Sequence, residues 1–167
     1  MVGVDGSEPS RDALRYAVRE ANWRGATLRV LAAFDPPEYW PIIYGAVEGA
    51  SSGEVAKAVR AEVWRMIDET LAELGVRVEV DLVVVAGRAV PALLEASTRA
   101  DALILGHQGR GELASVLLGS VGMQCALHAS CPVTIVRPPV GARDADPESS
   151  TGERAEEPAT TGAATTP

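Results

Sequence analysis

Residues 106–121 read Gly106-His107-Gln108-Gly109-Arg110-Gly111-Glu112-Leu113-Ala114-Ser115-Val116-Leu117-Leu118-Gly119-Ser120-Val121. The five residues before them, Asp101-Ala-Leu-Ile-Leu105, are a short apolar run of the kind buried as a parallel strand. A glycine-punctuated loop leaving such a strand for a helix lies at the strand's carboxyl end, where open α/β sheets bind ligands. Gly106 and Gly109 stand three apart, nine residues follow, and then come Gly119 and Ser120. Glycine lets the backbone take positive φ and approach a ligand closely, so successive N–H groups can converge on one anion. Ser120 is the expected N-cap of the next helix, whose first-turn amides add to the same site. Ordinary turn building accounts for a pair of glycines equally well. The chemistry that the arrangement suggests is phosphate binding.

Working outward, the chain alternates strand and helix. Residues 1–5 read as a strand ending at Asp5, and residues 6–10 as a turn and capping segment. From Arg11 to Arg24, Leu14, Ala17, Val18 and Ala21 fall at i, i+3, i+4 and i+7, one helical face for packing on a sheet, with Gly25 as its stop. Residues 27–34 are a near-continuous apolar run suited to a strand covered on both sides. Residues 35–53, with Pro36, Pro37 and Pro41 beside Tyr39, Trp40 and Tyr44, form a loop, read either as a lid over the site or as a segment on the surface. A long helix over 54–74 carries Val59, Val63, Met66, Ile67, Thr70, Leu71 and Leu74 as its inner stripe and ends at Gly75. A third strand over 76–86, a short helix over 89–98, a helix over 121–129 and a last strand over 132–136 complete the order. Pro132 at the start of that last strand fits an edge position. This β-α-β-α-β-α-β-α-β order predicts an α/β fold, a single open five-stranded parallel sheet with helices on both faces.

Composition sets the bounds. The 167 residues are long enough for one domain with a substantial core, and at 47% hydrophobic but only 4% aromatic that core is built from Val, Leu, Ile and Ala. A formal charge of -8 argues against non-specific nucleic-acid binding, which rests on neutralising phosphates. About half of that charge lies beyond residue 140, where Arg143 and Arg154 face six acids. Residues 139–167, rich in Pro, Thr, Ala, Glu and Gly without apolar periodicity, are expected to be a disordered tail, leaving 1–138 as the domain. Cys125 and Cys131 form no CxxC pair and are expected as reduced thiols of a cytoplasmic protein. No apolar run reaches the ~18 residues of a membrane span, so no membrane partner is expected.

Gly-x2-Gly-x9-Gly-Ser, together with Val2-Gly-Val-Asp-Gly-Ser7 and His128-Ala-Ser-Cys-Pro-Val-Thr-Ile-Val-Arg137, resembles the universal stress protein family in its ATP-binding branch. The resemblance covers roughly residues 1–138. It implies a Rossmann-like fold akin to the adenine nucleotide alpha hydrolases, with strand order 3-2-1-4-5. It also implies ATP, accompanied by Mg2+, as the bound cofactor. Gly3, Asp5 and Ala33 would lie against the adenosine. Gly106, His107, Gln108, Gly109, Arg110, Gly111 and Glu112, with Gly119, Ser120 and Val121, would hold the rest of the nucleotide. The last strand, from Pro132 to Val136, would pair with its counterpart in a homodimer, which would also cover an apolar edge prone to aggregation. Two departures weaken the phosphate site: Glu112 brings a negative charge, and Val116 stands where some members carry a basic residue. Arg110 and His107 remain as nearby cationic or hydrogen-bonding groups. The first strand is also shorter than usual for the family.

Asp5 has two open roles, holding turn amides or meeting the nucleotide. Gly109-x-Gly111-x-x-Ala114 fits a dinucleotide fingerprint, but it follows the fourth strand and no acid stands about 20 residues on. The chain's one lysine, Lys57, is far from any glycine loop, so there is no Walker A motif. No catalytic triad, carboxylate pair or metal-ligand cluster can be assembled. The expected function is a nucleotide-dependent regulatory module of the stress response. A slow ATPase or phosphotransferase and a nucleotide-free dimeric adaptor are the alternatives.

Overall fold

The computed structural model describes residues 1–36, 51–109 and 118–137. The proposed lid with its aromatics, the loop residues Arg110, Gly111 and Glu112, and the tail expected over 139–167 lie outside the described residues or almost wholly so. The described elements are β1 (Val2–Val4), α1 (Glu8–Arg24), β2 (Leu28–Phe34), α2 (Ser52–Leu74), β3 (Val80–Ala86), α3 (Ala89–Ser97), β4 (Leu103–Gly106), α4 (Ser120–His128) and β5 (Val133–Val136). They form one five-stranded sheet in the order β3-β2-β1-β4-β5, with every pair parallel. This is the expected order, and the chain reverses direction across the sheet between β1 and β4.

Strand alternation divides the core between the two faces. Val2, Val4, Val30, Ala32, Leu82 and Ile104 pack with Leu14, Val18, Met66 and Ile67 under α1 and α2. Leu31, Leu103 and Leu105 pack with Leu93 and Cys125 under α3 and α4. Each buried Leu or Ile contributes about 1.5–3 kcal/mol of transfer free energy, so these two layers dominate stability. By comparison, the exposed Arg11–Glu69 and Arg15–Glu73 pairs that join α1 to α2 contribute little.

Local chemistry fixes the element ends. α1 begins at Glu8, earlier than expected, because Ser7 caps it, its side chain accepting from the Ser10 N–H, and Pro9 fits a first-turn position. Ser51 and Glu54 form a reciprocal capping box that starts α2 at Ser52. Gly25 and Gly75 end α1 and α2 in the left-handed conformation, at φ 60° and 63°. β3 starts at Val80 rather than 76, since its partner β2 begins only at Leu28, whose N–H donates to the Glu79 carbonyl. Val76 and Val78 still pack on the core. Cys125 and Cys131 are free thiols, and burial pushes the Cys125 thiol up.

Candidate nucleotide site

A cavity of about 590 Å³ opens over the carboxyl ends of β1, β2 and β4 on the α3/α4 face. That size suits a small-molecule ligand. Its walls divide by chemistry. Leu31, Ala33, Ala89, Leu93 and Leu105 make an apolar side, whereas Gly106, Gln108, Gly109, Gly119 and Ser120 make a glycine-rich polar side. Gly3 keeps the floor low between them. A Cβ there would come within 2.7 Å of Leu105 Cδ2 and 2.9 Å of Leu93 Cδ2, so any side chain would force both leucines of the wall to shift.

Among the helix starts that meet the cavity, those of α1 and α4 differ. At the start of α1, Ser10 N–H is bonded to Ser7 O at 3.1 Å and Arg11 N–H likewise, while Asp5 and Glu8 add negative charge. That terminus satisfies its own donors. At the start of α4, the first intrahelical bond is Met123 N–H to Gly119 O at 2.9 Å. The N–H groups of Ser120, Val121 and Gly122 therefore have no acceptor within the helix, and all three residues line the cavity. Three such donors at the positive end of a helix form a binding site for an anion.

The expected N-cap was Ser120; the structure corrects this to Gly119, with Ser120 as the first helical residue and no side-chain cap. Gly119 O accepts the first bond of the helix, from Met123 N–H at 2.9 Å, which makes Gly119 the capping residue, and Gly119 N–H donates to His107 O at 2.9 Å. Ser120, one residue on, lines the cavity.

Asp5 ties the loop to α1. Its Oδ1 accepts from Ser7 N–H at 3.0 Å and from Ser7 Oγ at 2.6 Å. Its Oδ2 lies 2.7 Å from where a Cβ of Gly109 would be, so Gly109 is required for close approach rather than for φ. Gly106 is likewise pressed on Pro9, whose carbonyl oxygen would be 2.5 Å from an added Cβ.

The structure thus brings together Gly3, Asp5, Ala33, Gly106, Gln108, Gly109, Gly119, Ser120 and Val121 around one cavity. His107 stands behind the wall: it is 8% exposed, and its backbone joins the loop to β5 through its N–H and Val136 O at 2.9 Å. Arg110, Gly111 and Glu112 fall outside the described residues. Sequence reasoning missed the apolar side, including Leu31, Leu93 and Leu105, and also Gly122 at the start of α4. Alternation puts Leu31 on the face of Ala33, but a solid apolar run does not separate a cavity wall from core. Gly122 was open to discovery once the helix start is placed at Gly119. Among the described residues lining the cavity, Asp5 alone carries a formal charge.

The sequence model of the universal stress protein family matches residues 1–137. A universal stress protein of Mycobacterium tuberculosis is 37% identical over 150 residues, which cover 87% of this chain and 50% of that one. The chain spans about half the length of the mycobacterial relatives it matches. A universal stress protein from Thermus aquaticus is 34% identical over 142 residues, covering 82% of this chain and 96% of the relative. Among solved structures, a universal stress protein in complex with cAMP has a TM-score of 0.58 at 27% identity, over 81% of this chain and 94% of that one. With the sheet order, the family match over the whole described body and relatives above 30% identity in agreement, the chain belongs to the universal stress protein family.

Proposed function

We propose that the cavity binds an adenine nucleotide, ATP with Mg2+ in the first instance, and that the protein acts as a nucleotide-dependent regulatory module in a cytoplasmic stress response. The observation that carries this reading is the division of one cavity into an apolar side and a glycine-rich side that includes the first-turn N–H groups of α4, which have no acceptor within the helix. A purine fits the first and phosphate oxygens the second. Gly3 and Ala33 stand on the adenosine side with Leu31 and Leu93; Gly106, Gln108, Gly109, Gly119, Ser120 and Val121 stand on the phosphate side. His107, Arg110, Gly111 and Glu112 belong to the same proposed site. The cAMP complex of a relative supports a nucleotide of this class.

Mg2+ is commonly held by one or two carboxylates together with substrate phosphates. Asp5 is the carboxylate on the cavity wall, so the residues present suit that mode, in which the ion neutralises phosphate charge beside the acid. Binding is favoured over hydrolysis in this reading, because phosphoryl transfer needs strong cationic stabilisation and, besides Mg2+, the proposed site offers only Arg110 and His107 against Asp5 and Glu112. Pairing of two chains through β5 is part of the proposal, since β5 is an open edge with apolar residues.

The direct test is to denature freshly purified protein and identify released nucleotide by chromatography. Adenine nucleotide at a substantial fraction of one equivalent supports the reading. Release of an unrelated small molecule that competes with ATP for the folded protein would replace it.

A further inference from the structure

Two contacts join the mouth of the cavity to the open edge of the sheet. The first is a backbone relay: Gly119 N–H donates to His107 O at 2.9 Å, and His107 N–H donates to Val136 O at 2.9 Å. The second is side-chain packing. The α-carbon region of Gly122, itself on the cavity wall, faces Ile135 Cδ1, which would be 3.6 Å from an added Cβ, and Leu118 Cδ1, which would be 2.9 Å away. Val136 and Ile135 are half the residues of β5, the strand at one edge of the sheet. The opposite edge, β3, is held through β2 and has no such connection to α4.

These contacts assign a regulatory direction to the fold. We propose that occupation of the cavity stiffens β5 through the Gly119–His107–Val136 relay, so that the edge strand reports whether ligand is bound; this rests on the nucleotide reading above. A ligand anion drawn to the amides of Ser120, Val121 and Gly122 fixes the first turn of α4. Gly119 is the cap of that turn, so its bond to His107 O is fixed with it, and His107, held at its carbonyl by Gly119 and at its N–H by Val136 O, loses freedom along with that turn. Energy placed on α4 is thus shared with β5, and β5 with any chain that pairs along it. By linkage the effect is reciprocal: a partner that orders β5 tightens ligand binding.

Gly119→Pro cuts the relay. The φ of Gly119 is -59°, the value proline imposes, so the backbone angle is kept, while the N–H that donates to His107 O is replaced by a ring carbon from which that carbonyl must move away. Gly119→Ala keeps the N–H and serves as the control. Amide hydrogen exchange would be followed residue by residue by NMR on wild type and both variants, without ligand and with saturating ATP and magnesium, beside calorimetric titrations of the same samples.

In wild type, ATP should slow exchange in residues 132–137 by about 5- to 150-fold, the usual range of coupling between sites, and should slow β3 far less. In Gly119→Pro that transfer should be lost even at ATP concentrations that its own titration shows to be saturating, and the ligand-free variant should already exchange faster at His107 and along β5 than wild type does. Gly119→Ala, compared at its own saturation, should keep the transfer. ATP binding that leaves β5 unprotected, or protects β3 equally, overturns the inference while leaving the nucleotide reading intact. Unchanged β5 exchange in ligand-free Gly119→Pro overturns it as well, whether or not that variant binds. If wild type binds no nucleotide, both readings fall together, and calorimetry identifies that case.

Discussion

The carboxylate of Asp5 stands between Ser7 and Gly109. One oxygen takes both the N–H and the hydroxyl of Ser7, and the other lies 2.7 Å from the position a Gly109 side chain would need. The acid therefore caps the turn into α1 and sets how near the glycine loop comes to β1. Of the two roles open to it in the sequence, the holding of turn groups is present in the structure, and contact with a nucleotide remains part of the proposal.

Gly109→Ala should destabilise the fold through this contact, and should do so less when Asp5 is already alanine. Urea unfolding of wild type, the two single variants and the double variant measures the coupling, expected at about 0.5–3 kcal/mol for groups in contact. Strictly additive losses would show that Gly109 is glycine for some other reason.

How much of this was legible beforehand follows from the physics of each segment. The sheet was legible because apolar runs and helical periodicity alternate cleanly, and Gly25 and Gly75 mark helix ends by chemistry that few other residues supply. Gly106 and Gly109 were legible as close-approach positions, although what they approach, Pro9 and Asp5, needed the fold. The apolar side of the cavity was not legible. Strands covered on both faces read as solid apolar runs, so nothing in Leu31 or Leu105 separates a cavity wall from ordinary core. The N-cap was misplaced because serine is the better cap in isolation, and only the bond from Met123 N–H to Gly119 O shows that the helix starts one residue earlier.

Gly106→Ala should cost more stability than most surface glycine substitutions. The obstructing atoms are the backbone carbonyl of Pro9, at 2.5 and 2.6 Å, and backbone in a capped helix start cannot rotate away as a side chain does. A loss of about 1–3 kcal/mol is expected, as for other overpacked sites, read as a lower urea midpoint with an unchanged slope. A midpoint equal to wild type would mean that α1 can slide on β4.

The capping box of α2 gives a pH signature. Hydrogen bonds from the Ser51 backbone and hydroxyl hold the Glu54 carboxyl below its ordinary value of 4.5. A folded-state value below the unfolded one means that the stabilisation is fully present above the ordinary value and is lost as pH falls through the depressed one. The stability difference between wild type and Glu54→Ala should therefore be largest near neutrality and shrink below pH 4.5. A difference that stays constant from neutrality to strong acid would assign the effect of Glu54 to helix propensity instead.

The most direct measurement of the central claim is a calorimetric titration of ATP with magnesium into nucleotide-stripped wild type and into Gly119→Glu. The variant places a carboxylate at the cap of α4, against the first-turn amides of Ser120, Val121 and Gly122 that the phosphates would occupy. The account predicts micromolar binding to wild type at one nucleotide per chain and a loss of at least about a hundredfold in the folded variant, equivalent to roughly 2.7 kcal/mol. Equal affinity in the two proteins, or no binding to folded wild type, would contradict it.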